Sequence, residues 1–289
     1  MQNSSLPKIP SVNFHLWEPC NMRCGFCFAT FQDVKQTVLP KGHLPKDDAL
    51  RIVKLLADAG FQKITFAGGE PTLCPWLTEL IVEAKNAGMT TMIVTNGTGL
   101  SNSFLKQNRE YLDWIAISID SISPETNMAS GRAISGNRPL SLAQYQLLIA
   151  QIHQFGYNLK INTVINRLNY LEDLNEFIRF ANPKRWKVLQ ALPIVGQNDR
   201  KIDAFKISQQ EFNFFLHTHR KLHHLLVPET NSQILGSYVM VDPAGRFFDN
   251  FEEKHRYSMS ILEVGAQQAL TQVHYDALKF QDRGGIYDW

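Results

Sequence analysis

Three cysteines, Cys20, Cys24 and Cys27, fall in a CxxxCxxC spacing within Cys20-Asn21-Met22-Arg23-Cys24-Gly25-Phe26-Cys27. Three thiolates so close in one loop can each hold one iron of a four-iron, four-sulfur cluster and leave the fourth iron open to a small molecule. A structural zinc knuckle is the competing reading. Zinc takes four protein ligands, usually as two separated pairs, and the only other cysteine, Cys74, lies far down the chain beside Pro75. Ligand count and spacing favour the cluster, and Cys74 reads as a small buried hydrophobe.

A second set of residues points to an anion. Strand residues i and i+2 share a face; with Leu159, Ile161 and Ile165 turned toward outer helices, Lys160 and Asn162 turn inward. The same spacing pairs Lys63 with Thr65, Arg185 with Lys187, and Asn13 with His15. Lys63, Lys160, Arg185 and Lys187 would then share one lumen, with no inward carboxylate on these strands to match them. Unpaired buried cations cost several kcal/mol each, so they call for a highly charged anion. A nucleoside triphosphate, at about −4, fits, with Arg giving bidentate and Lys point-charge contacts. For Lys63 and Arg185, near strand starts, the alternative is a head group snorkelling into solvent.

These residues need a scaffold. Strand-like segments at 12–17, 62–67, 90–95, 114–119, 158–165 and 185–191 alternate with helical ones at 46–59, 76–87, 101–108, 141–155 and 172–180. In the first helix Leu50, Val53 and Leu56 form one stripe and Gly60 is the stop. Six such alternations with short connections predict a parallel sheet with helices outside. Periodicity does not choose between a doubly wound sheet and a barrel. In a barrel the site gathers at the carboxyl ends of strands, and the cysteines, Gly68-Gly69-Glu70-Pro71, Thr95-Asn96-Gly97 and Ser118 all stand there. Past residue 200 the alternation stops. A helix over 208–226, strands near 234–241 and 246–248, and a last helix near 269–280 read as an extension over the open barrel, giving domains 1–200 and 201–289.

Composition narrows the classes. A net charge of +2 from 29 basic and 27 acidic residues offers no general polyanion surface, so nucleic acid is not an expected partner. Four cysteines, three in one loop, leave no disulfide framework, which suits a reducing cytosol. The start, MQNSSLPKIP, lacks a signal-peptide layout, and no apolar run approaches the ~20 residues of a membrane span; a cytoplasmic protein with no membrane association is expected. His217, His219, His223 and His224 cluster, and His219 with His223 could bind a metal at i, i+4. Without the glutamate of HExxH they read as a solvated helix face. Neither a GxxxxGK loop nor GxGxxG is present.

The string CNMRCGFCFAT, with Phe26 before the last cysteine, resembles the radical S-adenosylmethionine (SAM) enzymes and among them the viperins. Asn13-Phe14-His15, Lys63-Ile64-Thr65-Phe66-Ala67-Gly68-Gly69-Glu70-Pro71, Lys160-Ile161-Asn162-Thr163-Val164-Ile165-Asn166-Arg167, Arg185-Trp186-Lys187-Val188, Val227-Pro228-Glu229 and Gly284-Gly285-Ile286-Tyr287 resemble viperin segments in viperin order. Ala67 and Ala29 depart from the animal members' Ser and His, and the short lead into the first strand resembles the prokaryotic branch. The resemblance implies an α/β fold, a partial (β/α)6 TIM-type barrel with a C-terminal α+β extension. It implies a [4Fe-4S] cluster on Cys20, Cys24 and Cys27, with SAM bound near Phe26, Gly68, Gly69, Glu70, Asn96, Ser118 and Arg132. Gly68 and Gly69 would let backbone approach the ligand, and Glu70 would accept from SAM's ammonium group.

On the nucleotide side it implies Lys63, Lys160, Asn162, Arg185, Lys187 and Tyr287 around a triphosphate, with Asn13 near the base. The tail, freed by Gly284-Gly285, would lay Tyr287 on a sugar or phosphate. The implied reaction begins with a 5′-deoxyadenosyl radical taking the ribose 4′ hydrogen. The 3′ hydroxyl then leaves as water, with Lys160 assisting hydroxyl loss or phosphate positioning, and an added electron quenches the product radical. CTP is favoured, with UTP or GTP possible. The product is the 3′-deoxy-3′,4′-didehydro nucleotide, an antiviral RNA chain terminator, and the electrons come from a donor such as flavodoxin or ferredoxin. Two alternatives remain. A molybdenum-cofactor-type GTP cyclase needs a second, C-terminal cluster, and no cysteine follows Cys74. A non-catalytic iron–sulfur or nucleotide sensor would release no 5′-deoxyadenosine.

Overall fold

A computed structural model describes residues 9–289. Its centre is a ten-stranded sheet. Strands β1 (Ser11–Trp17), β2 (Lys63–Gly68), β3 (Thr90–Thr95), β4 (Trp114–Ser118), β5 (Asn158–Ile165) and β6 (Arg185–Gln190) lie side by side in chain order, all parallel. The C-terminal part lengthens both edges of this sheet. β7 (Leu226–Glu229) pairs parallel with β6. β8 (Met240–Val241) pairs parallel with β1, and β9 (Arg246–Asp249) and β10 (Arg256–Ser260) follow antiparallel. The outer strands β7 and β10 are not paired to each other, so the sheet is a partial barrel.

Alternation gives the sheet its two faces. Val12, Phe14, Ile64, Phe66, Ile115, Ile117, Leu159 and Ile161 join the main core under the helices. The helix Lys46–Asp58 contributes Ile52, Val53 and Leu56, and Leu142–Gln154 contributes Tyr145, Ile149 and Ile152. Ser141 and Gln144 close a capping box at the start of the latter, satisfying donors that a helix end leaves open. The opposite face carries Asn13, Lys63, Lys160, Asn162, Arg185 and Lys187; Lys160 stands beside Arg185 in register, and Asn162 between Ser118 and Lys187.

The segments past residue 200 differ from their periodicity. The helix expected over 208–226 is Gln209–Thr218, and the chain turns back to form β7. Pro228 sits in that strand, where it is tolerated because β7 is an edge. The apolar run at 234–241 is split by Gly236 at φ +72°, leaving a helix Asn231–Ile234 and the short β8. The last helix is two pieces, Ala266–Leu270 and Ala277–Asp282. His219 is buried, not solvated: its Nδ1 bonds Phe215 O at 2.7 Å and its Nε2 accepts the Leu174 N–H at 2.8 Å. Both ring nitrogens are spent on backbone. Cys74 lies in the core. Among the described residues no helix is long and apolar enough to cross a membrane.

Candidate functional site: a cysteine loop and a cation cluster on one sheet face

The cysteine loop leaves the carboxyl end of β1 and is held mainly by backbone. Arg23 N–H donates to Gly131 O at 3.1 Å, Gly25 N–H to Ser130 O at 3.0 Å, and Ser135 N–H to Asn21 O at 2.9 Å. The stretch after helix Pro124–Ser130 thus splints the loop. A Cβ at Gly131 would lie 2.3 Å from Arg23 O, so only glycine permits that contact. Side chains add a second tie: Asn96 Nδ2 donates to Asn21 Oδ1 at 2.8 Å, and Asn21 Nδ2 to Thr98 Oγ1 at 2.9 Å.

Gly68 and Gly69 were expected to admit a ligand, and the structure assigns them a different neighbour. A Cβ on Gly69 would lie 2.1 Å from Glu18 O and 2.5 Å from Pro19 O. The pair lets β2 run against the chain that enters the cysteine loop, and Glu70 N–H donates to Pro19 O at 2.9 Å. Glu70 is fully buried, and its carboxylate already accepts from Thr72 N, Thr72 Oγ1, Thr95 Oγ1 and Asn96 N at 2.6–3.1 Å. Three of these reach Oε1, so Oε2, with one bond, keeps a lone pair for a ligand donor. Burial pushes the Glu70 carboxyl up, and those donors pull against it.

The three thiols are free of disulfides. Burial pushes Cys20 up to about 11 and Cys27 to about 12, with neighbouring cysteines adding like charge. Such thiols become thiolates only where a cation draws them. Among the described residues no three His, Cys, Asp or Glu groups close around a single metal ion; a multi-iron cluster asks only one iron of each thiol. Arg132 is buried in an ion pair with Asp120, whose Oδ1 also accepts the Val164 N–H at 2.8 Å. Its guanidinium lies 5.8 Å from the Phe26 ring and lends positive charge to Cys24. Ser118 ends β4 on the same side.

The cations gather toward the amino ends of the strands. Lys63 opens β2 and Arg185 opens β6. Lys63 Nζ donates to the Tyr287 hydroxyl and lies over the Tyr287 and Trp289 rings at 4.3 and 4.7 Å. Arg185 donates to Gly284 O and lies 4.2 Å from the Tyr287 ring. The tail therefore turns inward, as Gly284 at φ +72° permits, and packs against Met92, Trp114 and Ala116. Lys160 is buried with no side-chain hydrogen bond or ion pair among the described residues, and Asn162 Oδ1 is buried without a partner among them. Burial, then the fields of Lys160, Lys187 and Arg185, push Lys63 down to about 6. Burial and Arg185 push Lys160 to about 7.

One carboxylate, from a strand outside those that carry the cations, does face this group. Glu229, on β7, pairs with Lys187 at 2.6 Å and with Arg283 at 2.9 Å, and accepts from the Tyr238 hydroxyl at 2.5 Å. Burial alone would raise its carboxyl; Lys187 and Arg283 bring it down to about 2. Lys187 also donates to Tyr238. The structure thus gathers Lys63, Lys160, Asn162, Arg185, Lys187 and Tyr287, and sets Asn13 on β1 beside Thr65 of β2. Sequence reasoning missed Glu229, Arg283, Tyr238 and Asp120. Asp120 had a signal, the end of an apolar strand; Glu229 was hidden because Pro228 masks its strand.

The chain matches the Radical SAM superfamily over residues 17–181, which defines its class. An S-adenosylmethionine-dependent nucleotide dehydratase from Lacinutrix mariniflava is 63% identical over 100% of this chain, which spans 60% of that protein. One of the same name from Flammeovirga pacifica is 58% identical over 97% of this chain and 96% of its own length. The crystal structure of Streptococcus suis SuiB bound to S-adenosylmethionine shares the fold, with a TM-score of 0.62 at 17% identity over 95% of this chain and 67% of that one. The chain belongs to the radical SAM superfamily and, within it, to the viperin-like S-adenosylmethionine-dependent nucleotide dehydratases. Its cofactors are accordingly a [4Fe-4S] cluster and SAM, which three free cysteines in one splinted loop fit.

Proposed function

We propose that the chain dehydrates a ribonucleoside triphosphate, CTP before UTP or GTP, to its 3′-deoxy-3′,4′-didehydro form. The observation that carries this reading is charge: Lys63, Lys160, Arg185, Lys187 and Arg283 converge with one carboxylate, Glu229, in one buried lumen. Fully charged, the group has a surplus of four, costly when buried and offset by a triphosphate of about −4. The bound cluster and SAM supply a 5′-deoxyadenosyl radical. Lys63, Arg185, Lys187 and Arg283 hold the phosphates, Asn162 and Tyr287 position the sugar, and Asn13 lies near the base. The Tyr287 hydroxyl, pushed by burial to about 12, stays a donor at neutral pH. Lys160, near 7 and unpaired, can give a proton to the departing hydroxyl or hold a phosphate.

On this reading Glu70, Asn96, Ser118, Arg132 and the Gly68-Gly69 turn shape the SAM side. Residues 1–200 carry the radical chemistry, 201–289 complete the nucleotide side, and the protein works in the cytoplasm. A low-potential carrier supplies electrons, and the product, lacking a 3′ hydroxyl, terminates RNA chains in antiviral defence. Reduced holoprotein with SAM and CTP, UTP or GTP should release 5′-deoxyadenosine together with the dehydrated form of one of them. Failure to form a dehydrated nucleotide from any of the three would overturn the proposal.

A further inference from the structure

The outer wall of the cysteine loop is a shallow hollow of about 510 Å³ lined by Arg23 and Gly25 of the loop, Met128 of helix Pro124–Ser130, and Arg200, Lys201 and Phe205. The SAM and nucleotide groups described above lie elsewhere, and none of these residues has a part in them. We propose that this hollow docks an acidic, low-potential electron carrier of the flavodoxin type. The inference rests on the proposed function, which consumes electrons delivered to a cluster on Cys20, Cys24 and Cys27.

Three features carry it. The first is position: Arg23 and Gly25 flank Cys24 in the chain, so a carrier seated here meets the loop that bears the three cysteines. The second is charge. Arg23, Arg200 and Lys201 are exposed, and the one carboxylate of the rim, Asp203, is already paired with Lys206 at 2.6 Å. The protein as a whole is close to neutral, at +2, so this positive rim is local. The third is rigidity. Asn198 donates to Phe26 O at 3.1 Å and to Leu192 O at 2.9 Å, fastening the segment that bears Arg200 and Lys201 to the cysteine loop. The Phe205 ring lies on Gly25 and meets Phe26 edge-on at 5.6 Å. Met128, 39% exposed, gives the hollow an adaptable apolar contact inside its charged rim. In the step served, the carrier loses one electron and the cluster gains one; no covalent bond forms or breaks.

The test compares wild type with the double variant Arg200→Glu, Lys201→Glu, using a bacterial flavodoxin as probe. Calorimetric titration of the holoprotein with oxidised flavodoxin at low salt should give binding that the variant weakens about tenfold or more, and that added salt erases in wild type. Flavodoxin-driven SAM cleavage should fall in step, while dithionite-driven cleavage stays at the wild-type rate, because a small reductant needs no docking face. Unchanged flavodoxin affinity and turnover in the variant would overturn the docking site. Loss of dithionite-driven dehydration in wild type would instead overturn the proposed function, so the two failures are told apart.

Discussion

The two ends of one sheet face solve different problems by different means. At the carboxyl end, the cysteine loop is placed by backbone bonds, glycines and neutral amides: Gly131 against Arg23, Gly69 against Glu18 and Pro19, Asn96 on Asn21. At the amino end, placement is by charge: five cations around Glu229, with the Tyr287 tail laid over two of them. The first arrangement is a fixed geometry that admits almost no added atom. The second is left with more cations than carboxylates, the surplus that the proposed triphosphate would offset. Steric changes should therefore cripple the first end, and charge or pH changes the second.

The largest effect is expected from Gly69→Ala. Its Cβ would meet backbone carbonyls at 2.1 and 2.5 Å, which cannot swing away, so the cysteine loop must shift and iron content after reconstitution should collapse. Gly60→Ala, whose Cβ meets nothing within 4 Å, carries only its left-handed φ and should cost ~1 kcal/mol of stability with full iron loading. Equal iron content in both variants would break the geometric account. Next comes Glu229→Ala, which strands Lys187 and Arg283 in the interior. Denaturant titration should show a loss of ~3–5 kcal/mol, and CTP should restore more stability to the variant than to wild type. A variant that CTP stabilises no better than wild type would mean that the cations do not meet phosphate.

Protonation offers a gentler probe. Lys63 and Lys160, at about 6 and about 7, are largely neutral at pH 8, and a bound polyanion raises both toward ordinary lysine values. Nucleotide binding should then take up protons, and affinity should weaken as pH rises from 7 to 9. Titration in buffers of different ionisation enthalpy checks this; zero uptake at pH 8 would count against it.

A last effect, silent at neutral pH, concerns stability in acid. Burial pushes His15 down to about 3 and His255 to about 4, and lowers His219. His15 and His255 both pack on Phe31 and Phe248, with Asp33 and Tyr257 beside His255. Depressed folded values mean that the unfolded chain binds more protons below its own histidine value of about 6.5. Their contribution is full above pH 6.5 and is lost as pH falls toward 4, by at most about 1.4 kcal/mol per histidine per pH unit. Stability independent of pH over that window would show that these rings are not buried neutral.

How much of this was legible in the sequence follows the same division. The six-strand core declared itself because each strand pairs an apolar face with a polar one, as in Leu159, Ile161 and Ile165 against Lys160 and Asn162. Of the C-terminal strands, β9 was read at 246–248 and β8 within the run 234–241, whereas the two outer strands were missed: β7 contains Pro228, and edge strands such as β7 and β10 need no sustained alternation. Inward-facing cations could be read from spacing, whereas Glu229 reached them only through a pairing between segments forty residues apart in the chain, Lys187 to Val227 and Leu189 to Glu229. The reason for Gly68 and Gly69 was equally invisible, since what they approach is the chain at Trp17, Glu18 and Pro19.

The most direct test of the central claim is the affinity ladder of CTP, CDP, CMP and cytidine for the SAM-loaded holoprotein, repeated with Lys187→Ala. Affinity should fall steeply with each phosphate removed, and the variant should lose on the order of 2–5 kcal/mol for CTP while barely changing for cytidine. Equal binding of cytidine and CTP, or a loss in the variant that is the same for both, would contradict a lumen built to hold a triphosphate.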